Sequence, residues 1–133
     1  MRSVLVAEDS EFLRLLLKRI LHLAGCEVQL AVDGREALRI WKTRSFDLVV
    51  TDLVMPNNDG LELIREIRSQ GSAAKIIAIS GGSSLDSTHF LEVAKKLGAD
   101  YCLLKPITLT EMLETVELAL PLKEALRQTS SRR

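Results

Sequence analysis

The chain has 133 residues and a mass of 14.8 kDa, the size of one domain whose core is large enough to need no staple. Hydrophobic residues make up 47% and charged residues 27%, which excludes a largely disordered chain and fits an ordinary soluble globular one. The 18 basic residues match the 18 acidic ones, so binding of nucleic acid through bulk positive charge is excluded too.

The chain enters its first apolar run, Val4–Ala7, with no secretory signal pattern before it, and leaves it at Glu8-Asp9. Glu11–Leu23 places Leu13, Leu16, Leu17, Ile20 and Leu21 on one helical face, and Gly25 is the stop, since glycine takes left-handed backbone without steric cost. Val28–Val32 is the second run. Asp33 caps a second helix, which Trp41 packs against the sheet. The third run, Leu48–Thr51, leads into Asp52. An Asp59-Gly60 turn then opens a helix over Leu61–Arg68, with Leu61, Ile64 and Ile67 inward and Gly71 beyond. Ile76–Ser80 is followed by Gly81-Gly82. A fourth helix runs over Asp86–Leu97, capped by Asp86 or Ser87 and ended by Gly98. Tyr101–Leu104 is the fifth run and precedes Lys105-Pro106. Thr110–Leu120 is the last helix, with Met112, Leu113, Val116 and Leu120 inward. Pro121 ends or kinks it, and Leu122–Arg127 can resume as a short helix. Lys123, Arg127, Arg132 and Arg133 against Glu124 give residues 121–133 a net +3, balanced by −3 in residues 1–120.

Apart from Gln29 the five runs are continuous, as in strands buried on both faces. Five strands alternating with five helices predict an α/β fold with a doubly wound parallel sheet. Functional residues of such sheets gather beyond the carboxyl ends of the strands. Cys26 and Cys102 are too few for a disulfide framework or a zinc site, and a reducing cytoplasm is the simplest compartment. No apolar run approaches the ~20 residues of a membrane span.

The strand ends are Glu8-Asp9, Asp52, Ser80-Gly81-Gly82 and Lys105-Pro106. Their convergence would gather three carboxylates, a hydroxyl and an ammonium. Carboxylates in close quarters either protonate or recruit a cation, and an incomplete all-oxygen set suits Mg²⁺. Lys105, Ser80 and the backbone N–H groups allowed by Gly81 and Gly82 suit an anion, with phosphate the obvious one. The Asp52 carboxylate is then a candidate nucleophile.

These residues resemble the receiver domain of two-component response regulators. The matching stretches are Glu8-Asp9, Thr51-Asp-Leu-Val-Met-Pro-Asn-Asn-Asp-Gly60, Ser80, Gly98-Ala-Asp100 and Lys105-Pro106, over about Ser3 to Leu120. The resemblance implies a flavodoxin-like sheet of strand order 2-1-3-4-5, with a receiver over residues 1–120 and a helical extension with a basic tail over 121–133. It implies Asp52 as phosphoacceptor, taking a phosphoryl group from a sensor histidine kinase or a histidine phosphotransfer protein. Glu8, Asp9, Asp52 and the Val54 backbone carbonyl are the implied Mg²⁺ ligands. Ser80 and Gly81 are implied at the phosphoryl oxygens, with Ser80 the switch hydroxyl. Lys105 is the implied partner of Asp52, aimed by a cis bond to Pro106. The implied output is binding of a downstream target protein or a second copy, through the face around the fifth strand and the fourth and fifth helices, with no direct nucleic-acid or membrane contact. Residues 121–133 are too few for an output domain.

The sequence departs from the family's habit at three places. Cys102 stands where an aromatic residue usually moves with the switch hydroxyl. Tyr101 faces the opposite side of the strand and is no substitute. Cys102 reads as a small buried apolar residue. The Gly81–His89 stretch is a little longer than usual, and Val54 and Gly82 sit where the family often carries polar side chains that affect attack by water, so slow loss of the phosphoryl group is expected. Asp33, Asp59 and Asp100 read as caps or turn formers, and His22 and His89 as surface or boundary helix residues. Two other functions remain. One is a receiver-like binding module independent of phosphate. The other is an enzyme on a similar fold, which lacks support: no second Asp stands two residues after Asp52, and no glycine-rich turn follows the first strand.

Overall fold

The computed structural model describes residues 2–55, 60–81 and 85–121, with the side chains of 85–88 left aside. The order of elements is β1 (Arg2–Ala7), α1 (Glu11–Leu23), β2 (Cys26–Ala31), α2 (Gly34–Trp41), β3 (Leu48–Asp52), α3 (Gly60–Ser69), β4 (Lys75–Ser80), α4 (Leu85–Leu97), β5 (Tyr101–Leu104) and α5 (Leu109–Ala119). The strands form one parallel sheet in the order β2-β1-β3-β4-β5.

Alternate side chains of the strands face opposite layers. Leu5, Ala7, Val49, Ile76 and Ala78 pack with Ala37, Trp41, Leu63, Ile64, Ile67 and Ala94 from α2, α3 and α4. Val4, Val6, Leu48, Val50, Ile77 and Ile79 pack with Leu17, Ile20, Leu21, Met112, Val116 and Ala119 from α1 and α5. Each fully buried aliphatic side chain contributes about 1.5–3 kcal/mol, so these two layers are what holds the strand ends in place.

Local signals set the helix ends. The Ser10 and Asp33 side chains accept from Leu13 N and Glu36 N, and Thr108 does the same for Glu111 N. α1 stops at Leu23 and the chain turns at Gly25, whose φ of +81° suits glycine alone. α5 stops before Pro121, which cannot continue the ladder.

Several expectations need correction. β3 is buried throughout, and β1 and β4 are buried beyond their first residues, Arg2 and Lys75; β2 and β5 are the sheet edges, with Glu27 and Gln29 exposed and Leu104 45% exposed. A β-branched run reads alike whether one face or two are covered. Leu16 lies at the rim of the α1 face, 38% exposed, and Leu63 is buried in α3 whereas Leu61 is only partly so. α4 begins at Leu85, which puts Asp86 and Ser87 in its first turn rather than at its cap. Cys102 is half-buried rather than buried, with Sγ 3.9 Å from the Leu91 carbonyl. Tyr101 does pack on the opposite layer, and its hydroxyl donates to the Leu118 carbonyl. Asp100 is more than a turn former: Oδ2 accepts from Ile76 N at 2.8 Å and from Arg68 at 2.9 Å. Asp33 caps α2 as expected, and His22 and His89 are exposed on helices. The expectations for Asp59, Gly82 and Leu122–Arg127 lie outside the described residues.

Candidate functional site

The strand order sets β1 beside β3 and β3 beside β4, with Ala7 level with Thr51 and Asp52 level with Ile79. Glu8, Asp9, Asp52 and Ser80 therefore leave one edge of the sheet together, and Lys105 follows β5 at the same edge.

Glu8 is fully buried and held at three atoms. Its N–H donates to the Ala31 carbonyl at 3.1 Å. Its Oε2 accepts from Ser10 N at 2.9 Å, and its carbonyl accepts from Arg14 Nη1 at 2.9 Å. Glu8 Oε1 is buried with no hydrogen-bond partner; Lys105 Nζ stands 3.3 Å away, close enough for charge attraction but out of line for a hydrogen bond. Asp9 is exposed, and its carbonyl accepts from the same Arg14 nitrogen at 3.3 Å.

Asp52 is also buried, and both its carboxylate oxygens are used. Oδ1 accepts from Val54 N at 3.1 Å, and Oδ2 accepts from Lys105 Nζ at 2.7 Å. Its carbonyl accepts from the Thr51 hydroxyl at 2.8 Å. The first residue of α3 lies against that same carbonyl: a Cβ at Gly60 would fall 2.1 Å from Asp52 O. Gly60 is therefore needed for a close approach, where the Asp59-Gly60 pair had suggested only a turn.

The electrostatics follow from this crowding. One carboxylate oxygen each from Glu8, Asp9 and Asp52 lies within 4.8 Å of the others. Burial pushes the Glu8 carboxyl up to about 7, Asp52 and Asp9 add to the rise, and Ser10 N–H and Lys105 oppose it. Burial alone would pull the Lys105 ammonium down, but the hydrogen bond and charge of Asp52, with Glu8 behind them, carry it above its ordinary value. Three carboxylates face one ammonium, so a divalent cation would balance the remainder. The orphaned Glu8 oxygen is a ready ligand atom for it, and an all-oxygen set fits Mg²⁺.

Ser80 is buried at the end of β4, and its carbonyl accepts from Lys105 N at 2.7 Å. That bond ties the strand end bearing the hydroxyl to the residue bearing the ammonium. A Cβ at Gly81 would meet nothing within 4 Å, so the backbone there is open to a ligand although no close packing demands glycine. The Lys105–Pro106 bond is cis. Val54 is 57% exposed beside the site, with its N–H on Asp52.

The sequence reading did not single out Arg14 and Gly60. Arg14 is one of several charged residues of α1, and only the fold shows its guanidinium on two loop carbonyls. Gly60 carried a signal in its pairing with Asp59, but the contact with Asp52 spans the loop. A cavity of about 320 Å³ lies elsewhere, among Trp41, Lys42, Arg44, Phe46 and Gln70 near the start of β3. Two of its polar side chains are already paired: Arg44 with Glu27 and Ser3, and Trp41 with Gln70.

The chain is similar to several known proteins. The family model of the response regulator receiver domain matches residues 4–117. The chain is 40% identical over 107 residues to sensor protein EvgS of Escherichia coli (strain K12), covering 80% of this chain and 9% of that protein. It is 39% identical over 110 residues to response regulator MprA of Mycolicibacterium vanbaalenii, covering 83% of this chain and 46% of that one. The chain thus spans less than half the length of both relatives. Among solved structures, the Francisella response regulator 1452 receiver domain superposes with a TM-score of 0.79 at 32% identity, covering 90% of this chain and 96% of that one. The chemotaxis response regulator CheY4 of Vibrio cholerae gives 0.80 at 32% identity, covering 90% and 99%. With this match over nearly the whole sheet, the chain belongs to the response regulator receiver domain family.

Proposed function

We propose that Asp52 accepts a phosphoryl group from a phosphohistidine of a sensor histidine kinase or a histidine phosphotransfer protein, and that its arrival switches binding of a downstream protein. The observation that carries this reading is the 2.7 Å contact of Lys105 Nζ with Asp52 Oδ2, beside a buried Glu8 oxygen that lacks a hydrogen-bond partner. Residues 1–120 carry the function, and the cytoplasm, where such donors present their phosphohistidine, is the compartment. No helix among the described residues is long and apolar enough to cross a membrane.

An Asp52 oxygen attacks phosphorus. The O–P bond forms as the P–N bond breaks, and that electron pair leaves with the donor imidazole nitrogen, which takes a proton from solvent. Val54 N–H and Lys105 hold the carboxylate oriented for this attack. Glu8, Asp9, Asp52 and the Val54 carbonyl would hold Mg²⁺, which when bound would supply positive charge to the phosphoryl oxygens. Lys105 follows the charge from the carboxylate to a phosphoryl oxygen, and Ser80 and the Gly81 N–H donate to the others. The new acceptor oxygens draw Ser80 inward, and the chain beyond it moves with it. Exposed Val54 has no side-chain group to orient a water, so the acyl phosphate persists for minutes or longer without an added phosphatase.

Acetyl phosphate with Mg²⁺ tests the reading by intact mass. A gain of one phosphoryl group is expected, lost in Asp52→Asn and in EDTA. No gain in the unaltered chain, or an equal gain in Asp52→Asn, contradicts it.

A further inference from the structure

We infer that Arg14 is a positioning residue that sets the affinity of the acidic site for Mg²⁺, by clamping the backbone of Glu8 and Asp9. The inference rests on the Mg²⁺ site proposed above.

The clamp is one guanidinium nitrogen, Arg14 Nη1, donating to the carbonyls of both residues at 2.9 and 3.3 Å. Those carbonyls belong to the link between β1 and α1, the segment that carries two of the three carboxylates. Glu8 has further anchors in Ala31 and Ser10. Asp9 is exposed, and the Arg14 bond to its carbonyl restrains the backbone from which its carboxylate extends. The backbone of Arg14 is fixed: its amide N–H donates to the Ser10 carbonyl at 2.8 Å, in the first turn of a helix capped by Ser10. The restraint thus runs from the capped helix through the guanidinium to the loop.

Two effects of opposite sign compete. A guanidinium beside a cation site repels the cation, so by charge alone Arg14 weakens binding. As a clamp it spares the loop the entropy of being ordered when the cation arrives, which strengthens binding. The guanidinium is part-exposed, so water and salt screen its charge, while the clamp acts through short bonds. Positioning therefore wins.

Calorimetric titration of Mg²⁺ into metal-free protein separates the two. The expected result is an affinity about 10-fold lower in Arg14→Ala, the size typical of lost outer-shell support. Arg14→Lys keeps the charge but reaches fewer acceptors, and an intermediate affinity is expected. Melting of each variant in EDTA shows that the fold remains. Affinity unchanged or tighter in Arg14→Ala, or an Arg14→Lys variant equal to the unaltered chain, overturns the clamp. Absence of Mg²⁺ binding in the unaltered chain overturns the site on which the inference rests, a result distinct from either.

Discussion

A carboxylate that loses its water needs other partners, and at Glu8 these are uneven. Oε2 takes the Ser10 N–H, whereas Oε1 has only the nearby charge of Lys105. Its carboxyl is raised by burial to about 7. Stability from this group is full below its ordinary pKa, about 4.5, and is lost as pH rises through about 7. Glu8→Gln keeps an acceptor for Ser10 and removes the charge. At pH 8 in EDTA its melting temperature should exceed that of the unaltered chain by about 4 °C, roughly the shift that ~1 kcal/mol gives. The difference should vanish by about pH 4.5, and Mg²⁺, expected to raise the parent's melting temperature, should not raise the variant's. A lower melting temperature for Glu8→Gln at pH 8 would count against the account. Gly60 is a second residue under constraint. An added Cβ 2.1 Å from the Asp52 carbonyl forces α3 and the end of β3 apart. Gly60→Ala should cost about 1–3 kcal/mol in urea unfolding and slow phosphorylation by acetyl phosphate, because the Asp52 carboxylate, the proposed acceptor, moves with its carbonyl. Unchanged values of both would show that the loop yields freely.

Arg68 does for the elements what Lys105 does for the acids. It closes α3 and donates to the carbonyls of Ser72 at 2.9 Å, Ala74 at 2.7 Å and Gly98 at 3.0 Å, and to Asp100 Oδ2 at 2.9 Å. Asp100 also takes the N–H of Ile76, so one guanidinium joins α3, the start of β4 and the link from α4 to β5. Gly98 at φ +120° leaves room for that side chain: a Cβ there would lie 2.8 Å from Arg68 Cγ. Arg68→Ala should cost about 2–3 kcal/mol, since several carbonyls lose a charged donor; an unchanged urea midpoint would refute the clasp. None of this was legible from spacing, because the partners are carbonyls, which every residue carries. What was legible was set by local physics. Val4–Ala7, Leu48–Thr51 and Ile76–Ser80 read as strands buried on both faces, and they are buried. Asp33 announced a cap, and Gly25 a stop. The edges β2 and β5 were misjudged because burial of a strand's second face is decided by distant helices. Glu8, Asp9, Asp52 and Lys105 were recognisable because each ends a strand in a parallel sheet, where the topology alone gathers them.

For the whole molecule, the order β2-β1-β3-β4-β5 puts β1 and β3 side by side, so the two acids after β1 meet the acid that ends β3. Both apolar layers serve this edge, α1 and α5 from one side and α2, α3 and α4 from the other. Lys105 reaches across from β5, a strand removed by β4, and its backbone N–H is tied to Ser80 on the way. The molecule therefore concentrates a buried aspartate, its charge partner, a candidate metal set and a hydroxyl at one rim. The most direct measurement is to locate the phosphoryl group itself. After treatment with acetyl phosphate and Mg²⁺, reduction with borohydride converts an aspartyl phosphate to homoserine, and peptide mass spectrometry then finds the altered residue. Conversion at position 52 is the predicted result. An unaltered position 52, with the phosphoryl mass found instead on Ser80 or on a histidine, would contradict it.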